Sequence, residues 1–230
     1  MADQGVSNER KRELEQMDPF QEFVIKASAY VKANSKMLAL GAGSLVAVVA
    51  ILIAIFSGFE KSENKASALY GKSLLAYQKL AADPVAAQKA VKADFERLLD
   101  EYANTGAGRM ALVKYGRICL EAGEYDRATQ LFEKALDTLK GGAGMETLML
   151  SALGHVKLAE KDLKAAEGYF QQVLKKDSGV ARDEARFILA GLREQNEDKA
   201  GARDMYQALV EKDENSLFAP LAEGLSARLN

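Results

Sequence analysis

Catalysis and metal binding draw on a small set of side chains, and this sequence holds few of them. It has one histidine, His155, and one cysteine, Cys119, in 230 residues. A Ser-His-Asp triad, a Cys-His pair and a His/Cys metal cluster would each depend on one of these two, and no partner stands at a fitting spacing from His155. The run Gly141-Gly142-Ala143-Gly144 lacks both the following Lys-Ser/Thr and the preceding strand of a phosphate loop, so it reads as a flexible linker. The acidic groups Asp183-Glu184 and Glu211 to Glu214 read as solvated helix ends. Cys119 falls on the apolar side of a helical pattern and is expected in a core, since buried Cys behaves as a small hydrophobe. The expectation is a chain that is not an enzyme, with no catalytic, cofactor or metal site and no small-molecule substrate.

Function must then lie in surfaces, and the elements that build them are helices. Lys and Arg number 31 against 33 Asp and Glu, so no basic field points to nucleic acid as a partner. There are three prolines and no tryptophan. Ala, Leu, Lys and Glu dominate after residue 58, and runs with strand-like alternation are scarce, which predicts an all-α fold.

The helices repeat. Leu112-x2-Tyr115-Gly116, then Ala128-x3-Phe132, is followed 38 residues later by Leu150-x2-Leu153-Gly154, then Ala166-x3-Phe170. A third copy, Leu189-Ala190 with Ala202-x3-Tyr206, follows after 36 more. Val91-x3-Phe95 stands 37 residues before Ala128-x3-Phe132, marking a degenerate opening hairpin. Glycine inside a helix costs about 1 kcal/mol against alanine. Gly116 and Gly154 are therefore expected where two helices approach closely, with Ala128 and Ala166 opposite, Ala190 and Ala202 as packing positions of the third repeat, and Phe132, Phe170 and Tyr206 filling the space between repeats.

These residues resemble the tetratricopeptide repeat, a helix-turn-helix unit of about 34 residues with Leu-Gly in its first helix and Ala-x3-Phe in its second. The resemblance implies an α-solenoid: a degenerate hairpin over 60–108, three repeats over 109–216 and a capping helix over 217–230. In such arrays the first helices line a concave groove. The matching positions are Met110, Val113, Arg117 and Leu120 in the first repeat, Leu148, Ser151, His155 and Leu158 in the second, and Phe187 and Glu194 in the third. This face is mostly apolar, as a groove for an extended chain or an amphipathic helix would be; the alternative is that many of these side chains pack against the next repeat or the chain's own helices. The Lys and Asn set that clamps terminal carboxylates in some arrays is missing.

Ahead of the repeats, residues 37–57 carry no charge, and twenty-one helical residues rise about 31 Å, enough for a hydrocarbon core of about 30 Å. The run exceeds a signal-peptide core, and its small-x-small candidate for cleavage, Ala66 to Ala68, lies well downstream inside a predicted helix, so an uncleaved transmembrane signal anchor is predicted. Before it, residues 1–16 read as a disordered tail carrying Arg10, Lys11 and Arg12, and Asp18-Pro19 opens a short amphipathic helix, either an interfacial anchor on the lipid bilayer or a docking helix for a membrane partner. Lys26, Lys32 and Lys36 before the span balance Lys61, Lys65 and Lys72 after it. Only the distant Arg10 to Arg12 group favours a cytoplasmic N-terminus.

The order of tail, anchor and repeats is similar to the bacterial YfgM-type family. That resemblance implies an inner-membrane protein with residues 1–36 cytoplasmic and the repeats periplasmic. It further implies an ancillary role beside the SecYEG translocon, with translocon subunits, a membrane-anchored chaperone and unfolded or helical client segments as partners. A scaffold or assembly factor for another envelope complex is the second reading.

Overall fold

The computed structural model describes residues 18–139, 143–176, 179–212 and 216–229. The basic group Arg10 to Arg12, the tail around it, and Gly141, Gly142, Asp213 and Glu214 lie outside these. The chain forms two compact units, residues 1–58 and 59–230.

In the first unit, α1 spans Pro19–Ala33 and α2 begins at Ser35. Asp18 caps α1 as its sequence predicts, its side chain accepting from Phe20 N–H at 3.0 Å with proline in the first turn. Asn34 ends it, with both its backbone N–H and its side-chain amide bonded to the Tyr30 carbonyl. The long helix α2 runs Ser35–Lys79, and its early part is apolar and exposed on all sides. It is long and apolar enough to cross a membrane. Gly58, where the pattern turns from uniformly apolar to amphipathic, does not interrupt it.

In the second unit the end of α2 is followed by α3 (Pro84–Glu101), α4 (Gly106–Glu121), α5 (Tyr125–Thr138), α6 (Ala143–Ala159), α7 (Leu163–Leu174), α8 (Gly179–Gln195), α9 (Lys199–Lys212) and α10 (Ala219–Arg228). No strand occurs among the described residues. Successive helices from α3 to α10 pack in antiparallel pairs, and α4, α6 and α8 also touch one another in order. They form the row of first helices that a solenoid needs.

The repeat is visible in the backbone as well as the side chains. Gly123, Lys161 and Glu197, spaced by 38 and 36 residues, all have positive φ, at 80°, 63° and 65°. Each ends the first helix of its repeat, and the next amide reaches back to close the turn: Glu124 to Cys119, Asp162 to Lys157 and Asp198 to Arg193, at 2.8–3.0 Å. Asp162 and Asp198 then cap the second helices through Ala165 and Gly201 N–H, whereas Glu124 makes no such bond. A left-handed residue here lets two helices reverse direction within a few residues.

Packing follows the same register. A β-carbon on Gly116 would lie 2.8 Å from the Phe132 ring, and one on Gly154 would lie 2.7 Å from that of Phe170. Ala128, Ala166, Ala190 and Ala202 are fully buried, and Tyr206 nearly so. The third repeat carries a methyl, Ala190, where the others have glycine, and a tyrosine where they have phenylalanine. In the opening hairpin Phe95 does the work of Phe132, stacking on Tyr115 at 5.0 Å and meeting Tyr70 of α2 edge-on at 6.1 Å. Ala66 and Ser73, seven residues apart and fully buried, are the small side chains on which α2 seats. Cys119 is fully buried, and burial pushes its thiol up to about 11.

Two loop readings are corrected. Ala143 and Gly144 belong to α6 and are not part of a linker. Asp183 and Glu184 lie in the second turn of α8: Asp183 is buried against Arg186 at 3.5 Å, and Glu184 is half-buried.

Candidate partner-binding groove

The residues predicted to line a groove separate into three environments. Met110 and Val113 of α4 and Leu148 of α6 form one wall of a concavity of about 460 Å³. The end of α5 contributes Leu139, α6 adds Met145, and Tyr70 closes it from α2. Met110 is 59% exposed and Leu148 49% exposed, so large apolar side chains here face water. Arg109 and Lys114 are the charged side chains on its lining. Two methionines give the wall unbranched, polarizable side chains that adapt to what they meet.

Arg117, Ser151 and His155 belong to a polar row that adjoins this concavity along the same first helices. Arg117 donates from Nε to Glu121 at 3.0 Å, and Tyr77 Oη donates to the same carboxylate. Lys114 Nζ stands 4.7 Å over the Tyr77 ring, a cation–π contact. Ser151 Oγ donates to Glu184 Oε2 at 2.9 Å, and His155 Nε2 lies 3.1 Å from Oε1. These bonds, that from His155 foremost, outweigh burial and hold the Glu184 carboxyl below the usual carboxylate range. His155 also meets Phe170 edge-on at 5.4 Å. Both carboxylate oxygens of Glu184 are thus engaged, and Ser151 donates to the carboxylate, not to the histidine. The arrangement orients side chains and contains no activated nucleophile.

Leu120 packs against the core of the first repeats and Leu158 against that of the next. Phe187 stacks on Phe218 at 5.3 Å and tilts against Tyr206 at 5.6 Å, while Glu194 accepts from Arg228. These last two therefore fasten α10 to the end of the stack.

Glu184 is the residue the sequence reading missed, and a signal for it existed. It stands 36 residues after Leu148, which stands 38 after Met110, so it is the third-repeat counterpart of two exposed apolar side chains of the groove. Glu63 was missed as well. Its carboxylate, on α2, accepts from Gly106 and Ala107 N–H at 2.7 and 3.2 Å, capping α4 from outside, and the Gly106 bond pulls its carboxyl below the usual range. Because Gly106 lines the concavity, Glu63 fixes one end of the groove wall. Among the described residues no group of three or more His, Cys, Asp or Glu side chains is placed to hold a metal ion.

Comparison with known proteins agrees with this geometry. The family model described as tetratricopeptide repeat matches residues 90–143 and 151–216. No curated protein matches the chain.

Proposed function

Since the chain belongs to the tetratricopeptide repeat family, a family of protein-interaction scaffolds, we propose that a partner polypeptide inserts an apolar side chain into the concavity between Met110, Leu148 and Tyr70. The observation that carries this reading is the concavity itself: about 460 Å³ of mostly apolar wall with two cations on its lining. A segment with a large aliphatic or aromatic residue and a neighbouring acid fits it in shape and charge. The polar row beyond, ending at Glu184, sets where the apolar contact stops.

In the fuller reading, residues 37–57 anchor the protein in a bacterial inner membrane, with residues 1–36 cytoplasmic and the repeats periplasmic. The groove then serves an ancillary role beside the secretory translocon, receiving translocon subunits, a membrane-anchored chaperone or emerging unfolded chains. The apolar helix supports the anchor, and the order of segments supports the rest. Tethering raises the effective concentration of groove and partner on one membrane, so weak contacts suffice.

The test is crosslinking in cells with a photoreactive side chain at Met110 or Leu148. Ser151 and His155 are poorer probes, since both are committed to Glu184. Capture of translocon subunits, chaperone or secretory chains is the expected result, and capture of one stoichiometric folded complex replaces it with an assembly-scaffold role. A reporter active only outside the cytoplasm, fused after Asn230, is expected to be active; an inactive one reverses the topology.

A further inference from the structure

Helix α1 has no partner for its apolar side. At about 100° per residue, Phe20, Phe23, Val24, Ala27, Tyr30 and Val31 fall within an arc of roughly 120°. Of these, Phe20, Phe23, Tyr30 and Val31 are each more than half exposed, at 69%, 68%, 59% and 53%. Gln21, Glu22 and Ser28 occupy the opposite side together with Ile25, the one large apolar residue out of place. Lys26, paired with Glu22 at 2.6 Å, borders the apolar arc, and Lys32 lies on the opposite side between Gln21 and Ile25. A strip of this size left in water is unusual on a soluble surface.

Its surroundings say what covers it. Asn34 alone separates α1 from α2, and the Leu38 amide already bonds the Asn34 carbonyl at 2.9 Å. Only Ser35 and Lys36 then precede the apolar run that begins at Met37. Wherever that run enters a bilayer, the end of α1 is within a turn or so of the hydrocarbon edge, about 5 Å along a helix. We infer that α1 is a lipid-binding helix lying in the headgroup region of the same leaflet, its Phe and Tyr rings toward the acyl chains and its lysines toward anionic headgroups. Aromatic rings favour this depth, and long lysine stems let the ammonium reach the phosphates while their methylenes stay apolar. The apolar side of α1 and that of the span then form one continuous lipid-facing surface.

This rests on residues 37–57 crossing the membrane, and the experiment separates the two. Single cysteines are introduced by Phe23→Cys, Gln21→Cys and Val48→Cys in the full-length protein, where native Cys119 is fully buried. Each carries an environment-sensitive fluorophore, and the protein is reconstituted at low density into vesicles of zwitterionic lipid with about a third anionic lipid. Spin-labelled lipids report depth. The expected result is blue-shifted emission at position 23, quenched several-fold more by shallow spin labels than by deep ones. Position 21 stays water-exposed and position 48 is quenched by deep labels. Phe23 as wet as Gln21, with Val48 still deep, overturns the inference alone; loss of deep quenching at Val48 overturns the spanning reading and this one together. Shielding at 23 that rises with protein density, or that needs another membrane protein, assigns the face to a protein partner and also overturns it. A Phe23→Asp/Tyr30→Asp double variant is expected to abolish shallow quenching of a label at position 20 while leaving Val48 unchanged.

Discussion

Helix propensity alone ranks Gly116→Ala and Gly154→Ala as stabilising, by about 1 kcal/mol each. The packing reverses the sign. An added β-carbon would stand 2.8 Å from the Phe132 ring and 2.7 Å from the Phe170 ring, against about 3.5 to 4 Å for unstrained carbon contacts. Each ring must withdraw by about 1 Å, yet Phe132 is 1% exposed and Phe170 not exposed at all. Overpacking of this kind costs about 1 to 3 kcal/mol. After the propensity gain, a net loss of about 1 kcal/mol is expected, slightly larger at Gly154. The third repeat is the control. Its methyl at Ala190 is already accommodated, so Ala190→Gly forfeits both propensity and a buried methyl and costs about 1.5 to 2 kcal/mol. Urea unfolding of the full-length protein in mild detergent, followed by far-UV circular dichroism, reads each loss as a midpoint lowered by about 0.5 M per kcal/mol. The decisive number is the coupling with Phe132→Leu, which shortens the obstructing ring. Gly116→Ala combined with Phe132→Leu is expected to be about 1 kcal/mol more stable than the sum of the singles. Strict additivity, or a neutral Gly116→Ala, refutes the close-approach account of these glycines.

The turn residues give a second series: Lys161→Gly and Glu197→Gly are each expected to raise stability by about 0.5 to 1 kcal/mol by relieving a left-handed non-glycine backbone, and Gly123→Ala to lower it by about 1 kcal/mol in the same unfolding assay. Glu124→Asp supplies the side-chain cap that Asp162 and Asp198 make in the later repeats, with an expected gain of about 0.5 to 1 kcal/mol; no gain would mean the α5 start is already satisfied by water. Glu63 and Glu184 both have carboxyls held below their unfolded range. Each therefore contributes stability that is present above about pH 4.3 and lost as pH falls through the lower folded value. Glu63→Gln is expected to be less stable than wild type at pH 7 and to converge with it at low pH; a difference unchanged by pH rules out the charged cap. Glu184→Leu removes the acceptor of buried Ser151 and is expected to cost about 1 to 2 kcal/mol, Glu184→Gln less, read by unfolding together with the His155 ring signals in nuclear magnetic resonance.

What the sequence made legible was whatever depends on residues close together in the chain. The pairing of a small residue in one helix with an aromatic sixteen positions on, Gly116 with Phe132 and Gly154 with Phe170, is written within a single repeat, so the all-α repeat fold could be read from spacing. The N-cap at Asp18 is just as local. The groove was legible only in part, because spacing assigns a side chain to a face of its helix but not to what the neighbouring helix does there. Leu120 and Leu158 share a face with Met110 and Leu148, yet they sit where adjacent repeats close together. Phe187 and Glu194 share the face of Ser151 and Leu158 by repeat arithmetic and are claimed by α10.

The charged residues were hardest, since an acid beside a helix start reads as solvated unless its partner is known. The partners of Glu184 lie 29 and 33 residues away and those of Glu63 lie 43 and 44. Repeat arithmetic bridges such distances where local pattern does not. Placing Glu184 in register with Met110 and Leu148 shows that the first-helix row is apolar for two repeats and acidic in the third. Under the proposed function, that change, more than the apolar residues themselves, is what would limit how far along the stack an apolar partner segment runs. Glu184→Leu, if it leaves the fold intact, is accordingly expected to lengthen the stretch of client captured by crosslinking from Leu148 toward α8, whereas capture from Met110 should not change.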